Sequence, residues 1–251
     1  MCGLFGWIGR LTGTERQALA WTLAIAADNR GGQSWGAAYW RSGWQVRRGL
    51  GRMAPDAPWC AAQSVLMAHT RLGTCGAVCI EHAHPFERCG AGAHIALAHN
   101  GMLDNVDTPV DSMALADRLA EGQDFKGIAG YGTISWVDWG RPQEISLCAL
   151  TERAELAVAH VDTRAVVWSS TATDLARALE TARVSARMYA IQPRRVYLAR
   201  GEGLWRSGRE LQLDPRTMDT DWKHWQQWWK KEQTDTEKDW TTDDELWRLE
   251  Q

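Results

Sequence analysis

The chain has 251 residues, 45% of them hydrophobic and 24% charged, which is enough to bury one large core or two small ones. Its formal net charge of −3 argues against binding nucleic acid through a basic surface, and no apolar run approaches the roughly 18 residues of a membrane span. Gly3, Gly6 and Gly9 break the apolar N-terminus, which lacks a basic leader, and the six cysteines (2, 60, 75, 79, 89, 148) read as thiols of a cytoplasmic protein rather than a disulfide framework.

Nine segments read as strands: 2–8, 35–40, 64–69, 93–98, 131–137, 144–150, 154–160, 164–169 and 195–199. They are short apolar runs between turn residues, as antiparallel pairing requires. Three helices interrupt them. The first is expected over Thr14–Asp28, with Thr14 and Gln17 as a capping box and Leu19, Leu23 and Ala26 as its apolar stripe. The second runs from Asp111, a candidate N-cap, to Glu121, with Gly122 just beyond. The third covers Thr173–Val184, with Leu175, Ala178, Leu179 and Ala182 on one face. Many strands and few helices give α+β layering.

Composition changes after Pro215: residues 216–251 hold 6 basic and 10 acidic side chains, and six of the chain's 16 Trp lie in its last 30 residues. The expected division is therefore a body over 1–205 and a Trp-rich, partly helical tail over 206–251. Trp222, Trp225 and Trp229 would share one helix face. That face serves equally to pack on the chain's own body or to dock a partner or a second copy.

Cys2 follows Met1. With Met1 removed, one residue would carry a thiol nucleophile and an α-amine of pKa about 7.7–8.0, a base next to its own nucleophile. Four segments accompany it: Arg30-Gly31-Gly32-Gln33-Ser34-Trp35-Gly36; His69-Thr70-Arg71-Leu72-Gly73-Thr74-Cys75-Gly76 followed by His82-Ala83-His84-Pro85-Phe86; Ala98-His99-Asn100-Gly101; and Asp111-Ser112, with Gly130-Tyr131-Gly132 further on. In this order and spacing they resemble the class II glutamine amidotransferase domain, one of the N-terminal nucleophile hydrolases, over roughly residues 2–205.

The resemblance implies an αββα sandwich of two antiparallel sheets between helical layers. It implies Cys2 as the nucleophile, with Asn100 and the backbone of Gly101 as the oxyanion hole. It implies that Arg71 grips the substrate α-carboxylate and Asp111 the α-ammonium. Arg30 would lie beside the nucleophile, Gly31 and Gly32 would allow close backbone approach, and His84 would shape the site wall. These roles suit acyl transfer from an amide. Each residue also has a plainer reading: Asn100-Gly101 as a turn between strands, Asp111 as a helix cap, Arg71 as a strand residue, His84-Pro85 as loop, and His99 as a pin for the turn. Gln33, His82 and Met113 depart from the residues common in the family.

A second pattern overlaps the first. Cys75, Cys79, His82, His84 and Cys89 mix zinc-ligand types, but their spacing is unlike paired knuckles, and no metal or other cofactor is expected. Only about 46 residues follow position 205, and there is no phosphate loop or dinucleotide signature. The expected function is thus a cytoplasmic glutaminase subunit that hydrolyses L-glutamine and passes ammonia to a synthase on another chain. A homo-oligomer stays open. The alternatives are an amidohydrolase acting on a γ-glutamyl or other small amide, and a non-catalytic interaction protein that uses the Trp-rich tail.

Overall fold

The computed structural model describes residues 2–54, 63–73, 76–141, 143–152, 154–211 and 213–214. Among these, the strands are β1 (Gly3–Gly9), β2 (Ser34–Trp40), β3 (Trp44–Leu50), β4 (Val65–Arg71), β5 (Phe86–Cys89), β6 (His94–Leu103), β7 (Gly130–Asp138), β8 (Ile145–Ala149), β9 (Ala157–Val161), β10 (Ala165–Ser169), β11 (Arg187–Ala190), β12 (Arg195–Arg200) and β13 (Gly203–Glu210). The helices are α1 (Gly13–Gly31), α2 (Ser112–Ala120) and α3 (Ala172–Thr181). One sheet has seven strands in the order β11-β9-β10-β1-β4-β2-β3; the other has six, β13-β12-β8-β7-β6-β5. The strand pairs within both sheets are antiparallel.

Side-chain alternation sorts the core into three slabs. Phe5 and Trp7 of β1 face outward and pack under Leu19, Leu23, Leu175 and Leu179 of α1 and α3. Leu4 and Ile8 face inward and meet Ala96, Ala98, Val137 and Leu147 of the second sheet. Ile95, Leu97, Ile134 and Trp136 face outward from that sheet onto Leu115 and Leu119 of α2. The result is helix, sheet, sheet, helix, the four layers expected. Because both faces of β1 are covered, all seven of its residues are buried and the strand reads as a continuous apolar run.

Several boundaries differ from expectation. Helix α1 begins two residues earlier: Thr12 is its N-cap, Glu15 N–H donates to Thr12 Oγ1, and Thr12 N–H donates to Glu15 Oε2. The Thr14/Gln17 box loses because Glu15 is also held by Arg164 from the loop before β10, with both guanidinium–carboxylate contacts at 2.9 Å. The helix also runs on to Gly31. Asn100 and Gly101 are not in a turn: β6 continues through them to Leu103, and Gly101 pairs with Gly132 of β7. The expected division at residue 205 falls inside β13, and Leu211 and Leu213 remain buried beside α2. The Trp-rich tail from 215 onward, with its expected helix, lies outside the described residues. No helix among those described is long and apolar enough to cross a membrane.

Candidate functional site

Antiparallel register builds the site. Gly3 pairs with Thr70, so Cys2, just before β1, comes level with Arg71 at the end of β4. Leu72 N–H donates to Cys2 Sγ at 3.4 Å, and the thiol faces Leu72 O at 3.6 Å. On the other side Arg30 Nε donates to Cys2 O at 2.9 Å. Arg30 stands in the last turn of α1, which lies close because Gly31 ends the helix against Arg71 and Leu72. A Cβ at Gly31 would sit 2.5 Å from Leu72 N and 2.7 Å from Arg71 C. Gly32 caps the helix over Asp28 and Arg52.

Burial pushes the Cys2 thiol above its usual range, with Asp111 acting in the same direction; the Leu72 backbone and Arg71 pull it down. Arg71 and Asp111 therefore both bear on the thiol. Arg71 is 2% exposed, and its Nη1 donates to Ala77 O at 3.2 Å. Asp111 caps α2: Oδ1 accepts from Ser112 N–H (2.7 Å) and Ser112 Oγ (3.1 Å), while Oδ2 accepts from Leu103 N–H at 2.9 Å. A carboxylate offers about four acceptor positions, so one is left for a ligand. The cap role and a ligand role are compatible.

The second sheet contributes Asn100 and Gly101. Asn100 Nδ2 donates to Ser170 Oγ at 3.0 Å. Gly101 has no room for a side chain, since a Cβ would strike Tyr131 O and lie 2.5 Å from His99 Nε2. His99 is pinned beneath, with Nδ1 at 2.9 Å from Ser112 Oγ and Nε2 at 3.2 Å from Tyr131 O. Gly132 holds φ +146, and a Cβ there would also meet the His99 ring.

His84 is brought under the site rather than to its opening. It is 2% exposed, its ring 4.0 Å from that of His69 and 4.5 Å from Phe86. Burial holds both imidazoles neutral: His69 is pushed down to about 3, and His84 is lowered well below the usual value. Their ring nitrogens have no hydrogen-bond partner of ordinary geometry among the described residues. Of the mixed Cys/His pattern, Cys89 is exposed while His84 is buried, and Cys75 lies outside the described residues. Among the described residues no three His, Cys, Asp or Glu side chains converge as metal ligands.

Sequence reasoning missed two participants. Ser170 joins Asn100 to β1. Gln33 Oε1 accepts from Gly73 N–H at 2.7 Å and ties the turn after β4 to the end of α1. Gln33 lies in the Arg30–Gly36 segment singled out from the sequence, but its bond to Gly73 could not be read there.

Residues 21–115 match the family described as glutamine amidotransferases class-II. Over that stretch the chain is similar to the class II glutamine amidotransferases. The family's members are enzymes that hydrolyse the glutamine amide. The chain is 31% identical over 130 residues to the glutamine–fructose-6-phosphate aminotransferase (isomerizing) of Methanosarcina mazei, covering 50% of this chain and 20% of that protein. Its fold matches the glutamine phosphoribosylpyrophosphate amidotransferase of B. subtilis, with TM-score 0.60 at 16% identity over 82% of this chain and 49% of the other. It also matches an allosteric regulatory enzyme of purine biosynthesis, with TM-score 0.62 at 16% identity over 85% and 50%. The chain thus spans about half the length of these two solved structures and a fifth of the curated relative.

Proposed function

We propose that this domain hydrolyses L-glutamine to glutamate and ammonia, with Cys2 as nucleophile. The observation that carries the reading is the thiol's setting. It is held at Leu72, between an arginine and a carboxylate close enough to act on its charge, with an amide-bearing strand opposite. The zwitterionic head of an amino acid needs that pair of opposite charges. Arg71 would take the α-carboxylate and the remaining acceptor position of Asp111 the α-ammonium.

A buried thiol of raised pKa rests protonated at neutral pH, so it needs a base. Once Met1 is removed, the Cys2 α-amine fills that role through one water. Sγ attacks the side-chain carbonyl carbon, and the oxyanion is received by Asn100 Nδ2 and the Gly101 N–H. The amine returns its proton to the departing nitrogen, ammonia leaves, and a γ-glutamyl thioester remains. Water then cleaves the thioester, releasing glutamate and the thiol. Arg30 holds the Cys2 carbonyl and fixes the backbone from which the nucleophile swings.

We extend the proposal to a cytoplasmic subunit whose ammonia goes to a synthase on a separate chain, with the Trp-rich segment after Pro215 as the docking element. What supports it is that the relatives are named as an aminotransferase and an amidotransferase, each pairing glutamine with a second substrate. The first test combines intact mass with glutamine turnover, with and without a glutamine-mimicking diazo ketone. Loss of Met1, a single adduct on Cys2 and turnover abolished by Cys2→Ala support the glutaminase. A processed Cys2 that takes the label while glutamine stays untouched points to another amide. For the docking element, truncation after Pro215 should leave turnover intact and abolish co-purification with the synthase.

A further inference from the structure

Ser170 lies between the end of β10 and the start of α3, 3% exposed. Its backbone N–H donates to Leu4 O at 2.8 Å. Its hydroxyl receives Leu4 N–H at 2.7 Å, donates to Leu4 O at 3.1 Å and receives Asn100 Nδ2 at 3.0 Å. A serine hydroxyl has one proton and two lone pairs, so all its capacity is used. Leu4 is two residues from Cys2 on β1. One hydroxyl therefore joins the strand that carries the nucleophile to the side chain expected to stabilise the oxyanion on the opposite sheet.

Asn100 presents its NH2 end to Ser170, whose hydroxyl receives it at 3.0 Å and directs its one proton to Leu4 O. The NH2 carries two protons; Ser170 engages one and leaves the other for a ligand. We propose that Ser170 is a positioning residue that aims the Asn100 amide at the oxyanion formed on the Cys2 side. This rests on the glutaminase reading above and names a residue that reading does not use.

The test compares Ser170→Ala with wild type in glutamine turnover and in alkylation of Cys2 by iodoacetamide. Alkylation is substitution at a saturated carbon and forms no oxyanion, so it reports the thiol alone. Removing an oxyanion donor outright costs about 10²–10³ in rate, and unmooring it should cost about 10–100-fold in kcat with KM changed less than about twofold. Alkylation should stay within about twofold of wild type. In an Asn100→Ala background, Ser170→Ala should cost nothing further. If the alanine variant folds poorly, Ser170→Thr and Ser170→Val are near-isosteric and differ in the hydroxyl; threonine should retain turnover and valine should lose it. Unchanged kcat in Ser170→Ala overturns the role, and so does a parallel fall of turnover and alkylation, which would mean general loosening. A wild type that takes the diazo ketone but never turns over glutamine overturns the glutaminase reading itself. An active wild type with an unimpaired Ser170→Ala overturns this role alone.

Discussion

Replacing Gly3 with alanine tests whether the packing of α1 sets the position of the proposed nucleophile. Gly3 follows Cys2 and lies directly under the helix: an added Cβ would fall 2.5 Å from Ala27 Cα and closer still to Ala27 Cβ. Ordinary contact begins at 3.4 Å, so strand and helix must part by about 1 Å. Neither can yield alone, because β1 is bonded on both sides, to β10 and β4, and α1 is fixed at its far end by Glu15 and Arg164. Overpacking of this kind costs about 1–3 kcal/mol. At about 2–4 °C per kcal/mol, the midpoint of thermal unfolding should fall by about 4–8 °C for a mid-range cost. A shift of about 1 Å in a reacting group can cost about 10²-fold in rate, so kcat/KM for glutamine should fall further than stability alone explains. The control is Gly13→Ala in the first turn of the same helix, where an added Cβ meets nothing within 4 Å; it should stabilise by about 0.4–1 kcal/mol and leave turnover unchanged. A Gly3→Ala variant within about 2 °C and about threefold of wild type would refute the reasoning.

Three further predictions concern pH. Burial pushes His69 down to about 3 while the unfolded chain titrates near 6.5. Below 6.5 the unfolded state therefore binds the extra proton, and stability should fall on acidification by about 1.4 kcal/mol per pH unit for this group, the loss ending near pH 3. Urea unfolding of wild type and His69→Gln at several pH values should give slopes that differ by that amount; parallel curves would exclude it. Burial raises the Cys2 thiol above its usual range, so iodoacetamide alkylation should still be climbing at pH 9; a plateau below pH 8 would contradict its burial. Glu15 is lowered to about 2 by Arg164. Its contribution is present above 4.5 and lost as pH falls toward 2, and because the pair is partly exposed it amounts to less than about 1 kcal/mol. The stability gap between wild type and Glu15→Gln should therefore narrow in acid.

The strands that escaped sequence reading have one thing in common. They are β3, β5, β11 and β13, and these occupy the four sheet edges. Edge strands are covered on fewer sides and carry mixed residues such as Gln45, Arg47 and Arg48 in β3, so they lack the apolar run that marks β1 or β8. Strand β6 was read short because Asn100-Gly101 is turn chemistry in isolation; Gly132 opposite makes room for the strand to continue. The helix cap went to the wrong threonine because Thr12/Glu15 and Thr14/Gln17 are equally good boxes locally, and Arg164, far along the chain, decides between them. Cys2, Arg71, Asn100 and Asp111 could be picked out as candidates because their order and spacing form one pattern. Ser170 was not, because a serine before a helix already has an ordinary use as a cap residue and its contact with Leu4 spans 166 positions.

The position of β1 in its sheet has a consequence for how activity is lost. It is the fourth of seven strands, bonded on both flanks and buried on both faces, so its amides can exchange with solvent only when the whole domain opens. The proposed nucleophile hangs from the segment least able to fray. Partial openings at β3, β5, β11 or β13 should come and go without disturbing turnover. Heat inactivation and global unfolding should then follow a single curve, and hydrogen exchange at Leu4 and Phe5 should report the same free energy as loss of catalysis.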